Sequence, residues 1–129
     1  MRRRPLLCLC LALAAAGCGG STTLTEHGLS KEADTIQSTA AEGALLAGEV
    51  ARGRTTEPFA RVHSGELAEQ AKSVAANLRR ARAPGLEPKR REALGRALRI
   101  EQALVRLHSA ATDRRSAARI ARELERLAR

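Results

Sequence analysis

The chain of 129 residues contains no tryptophan and no tyrosine, and Phe59 is its only aromatic residue. Proteins that bind single-stranded nucleic acid stack bases on aromatic side chains, so nucleic acid is not an expected partner. Pockets for small molecules are also lined largely by apolar and aromatic side chains, and aromatic ones are scarce here. The missing aromatics therefore argue against a nucleic-acid-binding protein and against an enzyme with a shaped substrate pocket.

Long apolar runs are almost absent as well. The one continuous run extends from Leu6 to Ala16, directly after Arg2, Arg3 and Arg4. A membrane-spanning helix needs about 20 apolar residues, so this run is too short to cross a bilayer. Basic residues, a short apolar stretch and then small residues are typical of a secretory signal peptide.

The run ends in the sequence Ala15-Ala16-Gly17-Cys18. This pattern resembles the lipobox of bacterial lipoproteins, which usually has leucine where this chain has Ala15. In that family signal peptidase II cuts before the cysteine, whose sulfur carries a diacylglycerol and whose amine is often acylated too. The resemblance covers residues 1–18 only. It implies a lipid anchor on Cys18, with Ala15, Ala16 and Gly17 recognised by the peptidase.

Two other export signals fit parts of the same segment. An ordinary secretory signal could be cut after the A-x-A sequence Ala12-Leu13-Ala14. A twin-arginine signal could use Arg3 and Arg4, although Pro5 follows them rather than the usual polar and aromatic pattern. The lipoprotein interpretation is favoured because it also accounts for the cysteine after the small residues.

Cleavage before Cys18 changes the chemistry open to the mature chain. Cys8 and Cys10 leave with the signal peptide, and Cys18 becomes a thioether, so no free thiol and no disulfide are left. Cysteine catalysis, thiolate metal sites and redox switching are then excluded. The expected divisions are a signal peptide (1–17), a lipidated cysteine with a flexible tether rich in Gly, Ser and Thr (18–29), and one folded domain (30–129).

The remaining sequence predicts helices and no strands. Only 21 of the 112 residues from Cys18 onward are Leu, Ile, Val or Phe, close to the level at which disorder competes with folding. Alanine, leucine, arginine and glutamate are abundant, however, and these residues favour helices. The expected fold is all-α: an up-and-down bundle of three or four helices with short loops and a thin core.

Apolar side chains at helical spacing place the four helices. The first is predicted from Lys31 to about Arg52 with Ser30 as its N-cap. Gly43 and Gly48 inside it either allow a neighbouring helix to approach closely or make this helix weak. The second starts at Pro58, with a kink or a new start expected at Ser64-Gly65, the third runs from Pro88 to Ser109, and the fourth starts after Thr112-Asp113. The predicted core positions are Ile36, Ala40, Gly43, Ala44, Ala47 and Val50; Phe59, Val62, Leu67, Ala71, Val74 and Leu78; Ala93, Leu94, Ala97, Leu98, Ile100, Leu104, Val105 and Leu107; and Ala117, Ile120, Leu124 and Leu127.

Catalytic and metal-binding motifs are hard to find in this chain. None of the three histidines completes a Glu-x-x-His motif, and the sequence has no H-E-x-x-H, G-x-S-x-G or phosphate-loop motif. His63 and Glu66 are spaced to share a helix face, and His108 could join them from the third helix. These three are the candidate metal or ligand residues. The expected protein is not an enzyme and has no cofactor.

Charge is distributed unevenly along the chain. Residues 18–78 carry 5 basic and 8 acidic side chains, whereas residues 79–129 carry 15 and 6. The candidate basic surface consists of Arg79, Arg80, Arg82, Lys89, Arg90, Arg91, Arg115, Arg119, Arg122 and Arg126. It could contact anionic lipid, since basic residues near such a membrane are attracted to it. Two alternatives would explain the same charges without a membrane role. One is that the acidic first half of the chain pairs with the basic second half, and the other is that the excess of arginine, 20 against 3 lysines, reflects codon bias.

The sequence therefore predicts a small lipoprotein of the bacterial cell envelope, anchored outside the membrane through diacylglyceryl-Cys18. The helical domain is expected to have an interaction or structural role, with anionic lipid or an envelope protein as partner. The alternative is a lipid-anchored helical module that binds a small ligand or a metal ion.

Overall fold

A computed structural model describes residues 22–129, which form four helices. Within this range the only strand-like feature is an isolated bridge between Thr23 and Arg82. The all-α prediction is confirmed. The helices are α1 (Glu26–Arg52), α2 (Glu57–Arg80), α3 (Glu87–Ser109) and α4 (Arg114–Leu127).

The four helices run up and down around one core. The segment before α1 pairs with the loop after α2, and Arg61 near the start of α2 bonds to His108 near the end of α3. Arg96, near the middle of α3, bonds to Leu127 at the end of α4. Among the described residues α2 packs mainly on α3 and α4 mainly on α1, while α2 and α4 do not touch. Neighbouring helices are therefore antiparallel, as short loops require.

The core consists of a few large side chains among many alanines. The largest fully buried apolar side chains are Leu78, Ile100, Leu104, Leu107 and Leu124. A Cβ at Gly43 would lie only 2.7 Å from Cδ2 of Leu104 and 3.1 Å from Cδ1 of Leu124. The close-approach interpretation of Gly43 is therefore confirmed. At Gly48 the nearest atoms to such a Cβ belong to the Arg52 side chain of the same helix.

The predicted start of α1 was wrong. The helix begins at Glu26 rather than Lys31, because the Thr25 hydroxyl accepts a hydrogen bond from the Gly28 N–H at 3.1 Å and acts as the N-cap. Leu29, which had been placed in the tether, is buried in the core. The C-terminal part of the predicted tether therefore belongs to the first helix.

Two corrections concern α2. The helix is continuous through Ser64 and Gly65, so the expected kink or new start there was wrong. Phe59 and Val62, which had been placed in the core, are 58% and 63% exposed. The buried face at the start of α2 carries Ala60 and Ser64 instead, since these residues continue the helical spacing of Leu67 and Ala71.

The second half of the chain follows its predicted pattern with one exception. The boundaries of α3 agree within one residue, and Asp113 is the N-cap of α4, accepting hydrogen bonds from the Arg115 and Ser116 N–H groups. The Ser116 hydroxyl and N–H bonds to the carboxylate hold the pKa of Asp113 below its ordinary value. Val105, predicted to widen the buried stripe of α3, is 51% exposed. None of the helices in residues 22–129 has an apolar stretch that could span a bilayer.

Candidate functional site

Ala15, Ala16, Gly17 and Cys18, which resemble a lipobox, lie outside the described residues, and the described chain begins at Thr22. The Leu24 N–H donates to the carbonyl oxygen of Arg82 at 2.7 Å, and the Arg82 N–H donates to the carbonyl oxygen of Thr22 at 3.1 Å. These two bonds attach the segment before α1 to the loop between α2 and α3. The described chain therefore begins beside this loop, four residues after Cys18 in the sequence.

Six basic residues surround the same loop, and we call them the basic end. They come from the last turn of α2, the loop itself and the first turn of α3, and all but Arg90 are exposed. The basic end consists of Arg79, Arg80, Arg82, Lys89, Arg90 and Arg91. The fold thus brings these six predicted surface residues together at the end of the bundle where the described chain begins.

Two residues of the basic end make structural bonds. The Arg90 guanidinium donates to the Leu78 carbonyl at 2.8 Å and pairs with Glu87 at 2.8 Å. The bond from Arg90, and a second from the Ala83 N–H, keep the pKa of Glu87 below its ordinary value. Lys89 pairs with Glu26 at 3.2 Å. The negative charges of Glu26 and Glu87 are therefore each balanced by one basic residue, Lys89 and Arg90 respectively.

The other four residues make no ion pair among residues 22–129, although the charge of Arg91 helps to lower the pKa of Glu87. Arg80 bonds only to the Asn77 amide oxygen, at 3.2 Å. Arg79, Arg82 and Arg91 have no side-chain hydrogen bond or ion pair to any residue between 22 and 129. The basic end is therefore a surface with a net positive charge facing solvent.

The arginines of α4 lie elsewhere. The helix starts at the opposite end of the bundle, and its last carbonyl, that of Leu127, accepts a bond from Arg96 Nε at 2.6 Å. Arg96 lies nine residues after Glu87, which puts it about 14 Å along α3. The candidate basic surface is thus split in two, and its second part, along α4, consists of Arg115, Arg119, Arg122 and Arg126.

Ion pairs between the acidic and basic halves of the chain are few. Across residues 22–129, Glu26–Lys89 is the one pair that joins α1 or α2 to α3 or α4. Most of the other pairs lie within one helix or its cap, such as Glu69 with Lys72. Pairing between the two halves therefore does not account for their opposite charges.

The candidate ligand residues lie on two helices with separate partners. His63 Nε2 is 2.9 Å from Glu42 Oε1, and its Nδ1 is 3.4 Å from Glu66 Oε2. His108 instead uses Nδ1 to donate to the Arg61 carbonyl at 2.9 Å. In the described part of the chain no three His, Cys, Asp or Glu side chains are grouped as a metal ion would require. Sequence reasoning missed Glu42, because only the packing of α1 on α2 brings it to His63.

A groove of about 420 Å³ lies between α1 and α3 near the basic end. Its floor is apolar, its rim carries both charges, and it is lined by Glu26, Leu29, Ser30, Ala33, Ile36, Lys89, Glu92, Ala93 and Arg96. Arg96 Nη2 is buried and has no hydrogen-bond partner within residues 22–129. A buried donor without a partner is unfavourable. The sequence did not reveal this groove.

Comparison with protein families, with curated proteins and with solved structures finds none that matches this chain.

Proposed function

We propose that this chain is a bacterial lipoprotein whose Cys18 carries a diacylglycerol on the extracytoplasmic side of the membrane. The observation that carries the proposal is the lipobox Ala15-Ala16-Gly17-Cys18 at the end of a short apolar run. The folded domain fits this arrangement, since it begins within a few residues of Cys18 and its chain emerges at one end of the bundle. The lipid would keep the domain at the membrane surface.

We further propose that the helical domain has a non-enzymatic role in interaction or envelope structure. The only aromatic side chain, Phe59, lies on the surface, with its ring centre 5.5 Å from that of His63. Val62 and Leu45 are also exposed large apolar residues, on α2 and α1. Aromatic residues are enriched where proteins bind one another, so the exposure of Phe59 supports an interaction role.

Labelling cells with radioactive palmitate tests the anchor. We expect the wild-type protein to be labelled, processed and found in the membrane fraction. Cys18→Ser should remove the label completely and accumulate as the uncut precursor, because the acceptor thiol is gone. Cys8→Ser is the matched control: it removes a thiol of the same apolar segment but should leave labelling unchanged.

Two outcomes of this experiment would contradict the proposed anchor. One is an unlabelled wild-type protein. The other is normal cutting and membrane association of Cys18→Ser, which would indicate an ordinary secretory signal.

The α1–α3 groove supports a second candidate function, binding of a small amphipathic anion. Its lining offers apolar contacts through Leu29, Ile36 and Ala93 and two cationic side chains, Lys89 and Arg96. Guanidinium groups bind carboxylates well because their donors match the two oxygens. The ligand-binding alternative expected from the sequence rested on His63, Glu66 and His108, and none of these residues lines the groove.

Titration with octanoate, followed by NMR, tests the groove. We expect shifts confined to residues of the groove and at least tenfold weaker binding by Arg96→Gln, because the charged donor is lost. Arg99→Gln is the matched control, since Arg99 is exposed and does not line the groove. Chemical-shift changes with octanol as large as those with octanoate would contradict this second function, as would unchanged octanoate binding by Arg96→Gln.

A further inference from the structure

We propose that the basic end binds anionic lipid headgroups of the membrane that holds Cys18, so that the bundle stands with this end on the bilayer. The inference rests on the proposed lipid anchor and adds an orientation and a lipid class to it. Two independent observations support it: the place where the chain leaves the bundle, and the uncompensated charge at that place.

The first observation limits how far the basic end can be from the lipid. Thr22 is bonded to the Arg82 backbone, and four peptide units separate Thr22 from Cys18. A fully extended chain of that length spans at most about 14 Å. The opposite end of the bundle lies farther away by the length of α2, whose 24 residues rise about 36 Å. The anchor therefore holds the basic end close to the headgroups, whereas it places no such limit on the opposite end.

The second observation is the charge that this end presents. Arg79, Arg82 and Arg91 are exposed without an acidic partner among the described residues, and Arg80 bonds only to an amide. Of the acids beside them, Glu26 and Glu87 are each bonded to a basic residue of the same end, and Glu32 lies 3.5 Å from the Asn77 amide that Arg80 also contacts. Each juxtamembrane basic residue raises affinity for an anionic membrane by about fivefold, so several together can fix an orientation.

The opposite end differs in its connection to the lipid rather than in lacking arginines. Arg114 and Arg115, at the start of α4, are exposed there and make no ion pair among residues 22–129, but no short segment links them to Cys18. Other arginines of that end are paired. Arg52 and Arg54 both bond to Glu49, and Arg61 bonds to Glu57. The bonds from Arg52 and Arg54 hold the pKa of Glu49 below its ordinary value, so this carboxylate keeps its charge over a wider pH range. The exposed Phe59 lies near this end, in the first turn of α2. In the proposed orientation it points away from the lipid, where an envelope protein can reach it.

Site-specific fluorescence on the lipidated full-length protein tests the orientation. Because Cys18 is modified, a single introduced cysteine can be labelled alone, and Pro84→Cys and Thr112→Cys place the label in exposed loops at the two ends. The loops are separated by α3, whose 23 residues rise about 34 Å. Each protein is reconstituted in vesicles of phosphatidylglycerol and phosphatidylcholine that carry an acceptor dye on a headgroup.

We expect energy transfer at least threefold more efficient from the label at position 84 than from the label at 112. The difference should shrink in pure phosphatidylcholine and at high salt, because exposed charges are screened within about 8 Å at physiological ionic strength. Charge reversal by Arg79→Glu, Arg82→Glu and Arg91→Glu together should remove it. The matched control is Arg115→Glu, Arg119→Glu and Arg122→Glu, which changes the net charge equally on α4 and should preserve it.

Failure of this inference can be told apart from failure of the anchor. A protein that is labelled by palmitate but shows equal transfer from both positions contradicts the orientation alone. It would instead favour an acidic envelope protein as the partner of the basic end. The proposal is also overturned if the difference in energy transfer between positions 84 and 112 persists after charge reversal at Arg79, Arg82 and Arg91. Circular dichroism must show that this variant keeps its helix content. A protein that takes up no palmitate overturns both the anchor and the orientation.

Discussion

Replacing Gly43 with leucine should lower the free energy of unfolding by about 3 kcal/mol. A Cβ at this position would lie 2.7 Å from Leu104 Cδ2 and 3.1 Å from Leu124 Cδ1. Both leucines are fully buried, so their side chains have no open space into which to move. The larger side chain must push α1 away from α3 and α4, and a core that is largely alanine loses packing along all three helices.

The same substitution at Gly95 is the matched control. Gly95 also lies inside a helix, α3, but a Cβ there would meet nothing within 4 Å. Gly95→Leu should therefore raise the free energy of unfolding by up to about 1 kcal/mol, because leucine favours helix over glycine. Urea unfolding followed by circular dichroism measures both variants. Equal effects of the two substitutions would mean that helices do not approach closely at Gly43.

Leu104→Ala is expected to have a similarly large effect, about 3 kcal/mol of destabilisation. The side chain is fully buried and reaches the backbone of α1 at Gly43, so its removal leaves a cavity between α1 and α3. Val105→Ala is the control, because the neighbouring side chain is 51% exposed. We expect it to change stability by no more than about 0.5 kcal/mol. Similar losses from both would contradict the buried face assigned to α3.

The double variant Gly43→Leu with Leu104→Ala tests whether the destabilisation by Gly43→Leu comes from a steric clash with Leu104. If the two side chains compete for one space, the double variant should be more stable than the sum of the two single losses predicts. The difference should amount to at least about 1 kcal/mol, as for residues in direct contact. Additive losses would show that the two positions act independently.

The buried face of a helix and its ends could be predicted from the sequence where they depend only on residues close together in the chain. The stripe from Ile36 to Val50 is buried as predicted, because residues three and four apart share a helix face. The end of α1 follows from Gly53, which adopts the left-handed conformation and donates its N–H to Glu49 and Val50 carbonyls. Asp113 as the cap of α4 follows from the same kind of local chemistry.

Features that depend on packing between helices could not be predicted. Phe59 and Val62 are apolar and lie on one helix, but the buried residues at the start of this helix are the smaller Ala60 and Ser64. The partner of His63, Glu42, depends on the alignment of α1 with α2. The start of α1 was missed because Thr25 and Ser30 can both cap a helix, and only burial of Leu29 decides between them.

The position of the basic end next to the segment before α1 also could not be predicted, because it depends on contacts between distant parts of the chain. The sequence placed six of its cationic residues around one loop, but it gave no reason to associate them with the segment before α1. Backbone bonds between Thr22, Leu24 and Arg82 make that association, and no side-chain pattern encodes them. The arginines of α4 were grouped with these six for their charge, although their helix begins at the other end of the bundle.

The backbone bonds at Arg82 also bear on which partners the domain can meet. Only residues 19–21 separate Cys18 from the bonded segment, so the proposed anchor confines the whole bundle to a layer about 50 Å deep above the bilayer. Confinement to such a layer raises the effective concentration of a second molecule attached to the same membrane. Even a weak contact through Phe59 can then be occupied most of the time by a membrane neighbour, while a freely diffusing protein of equal affinity stays unbound.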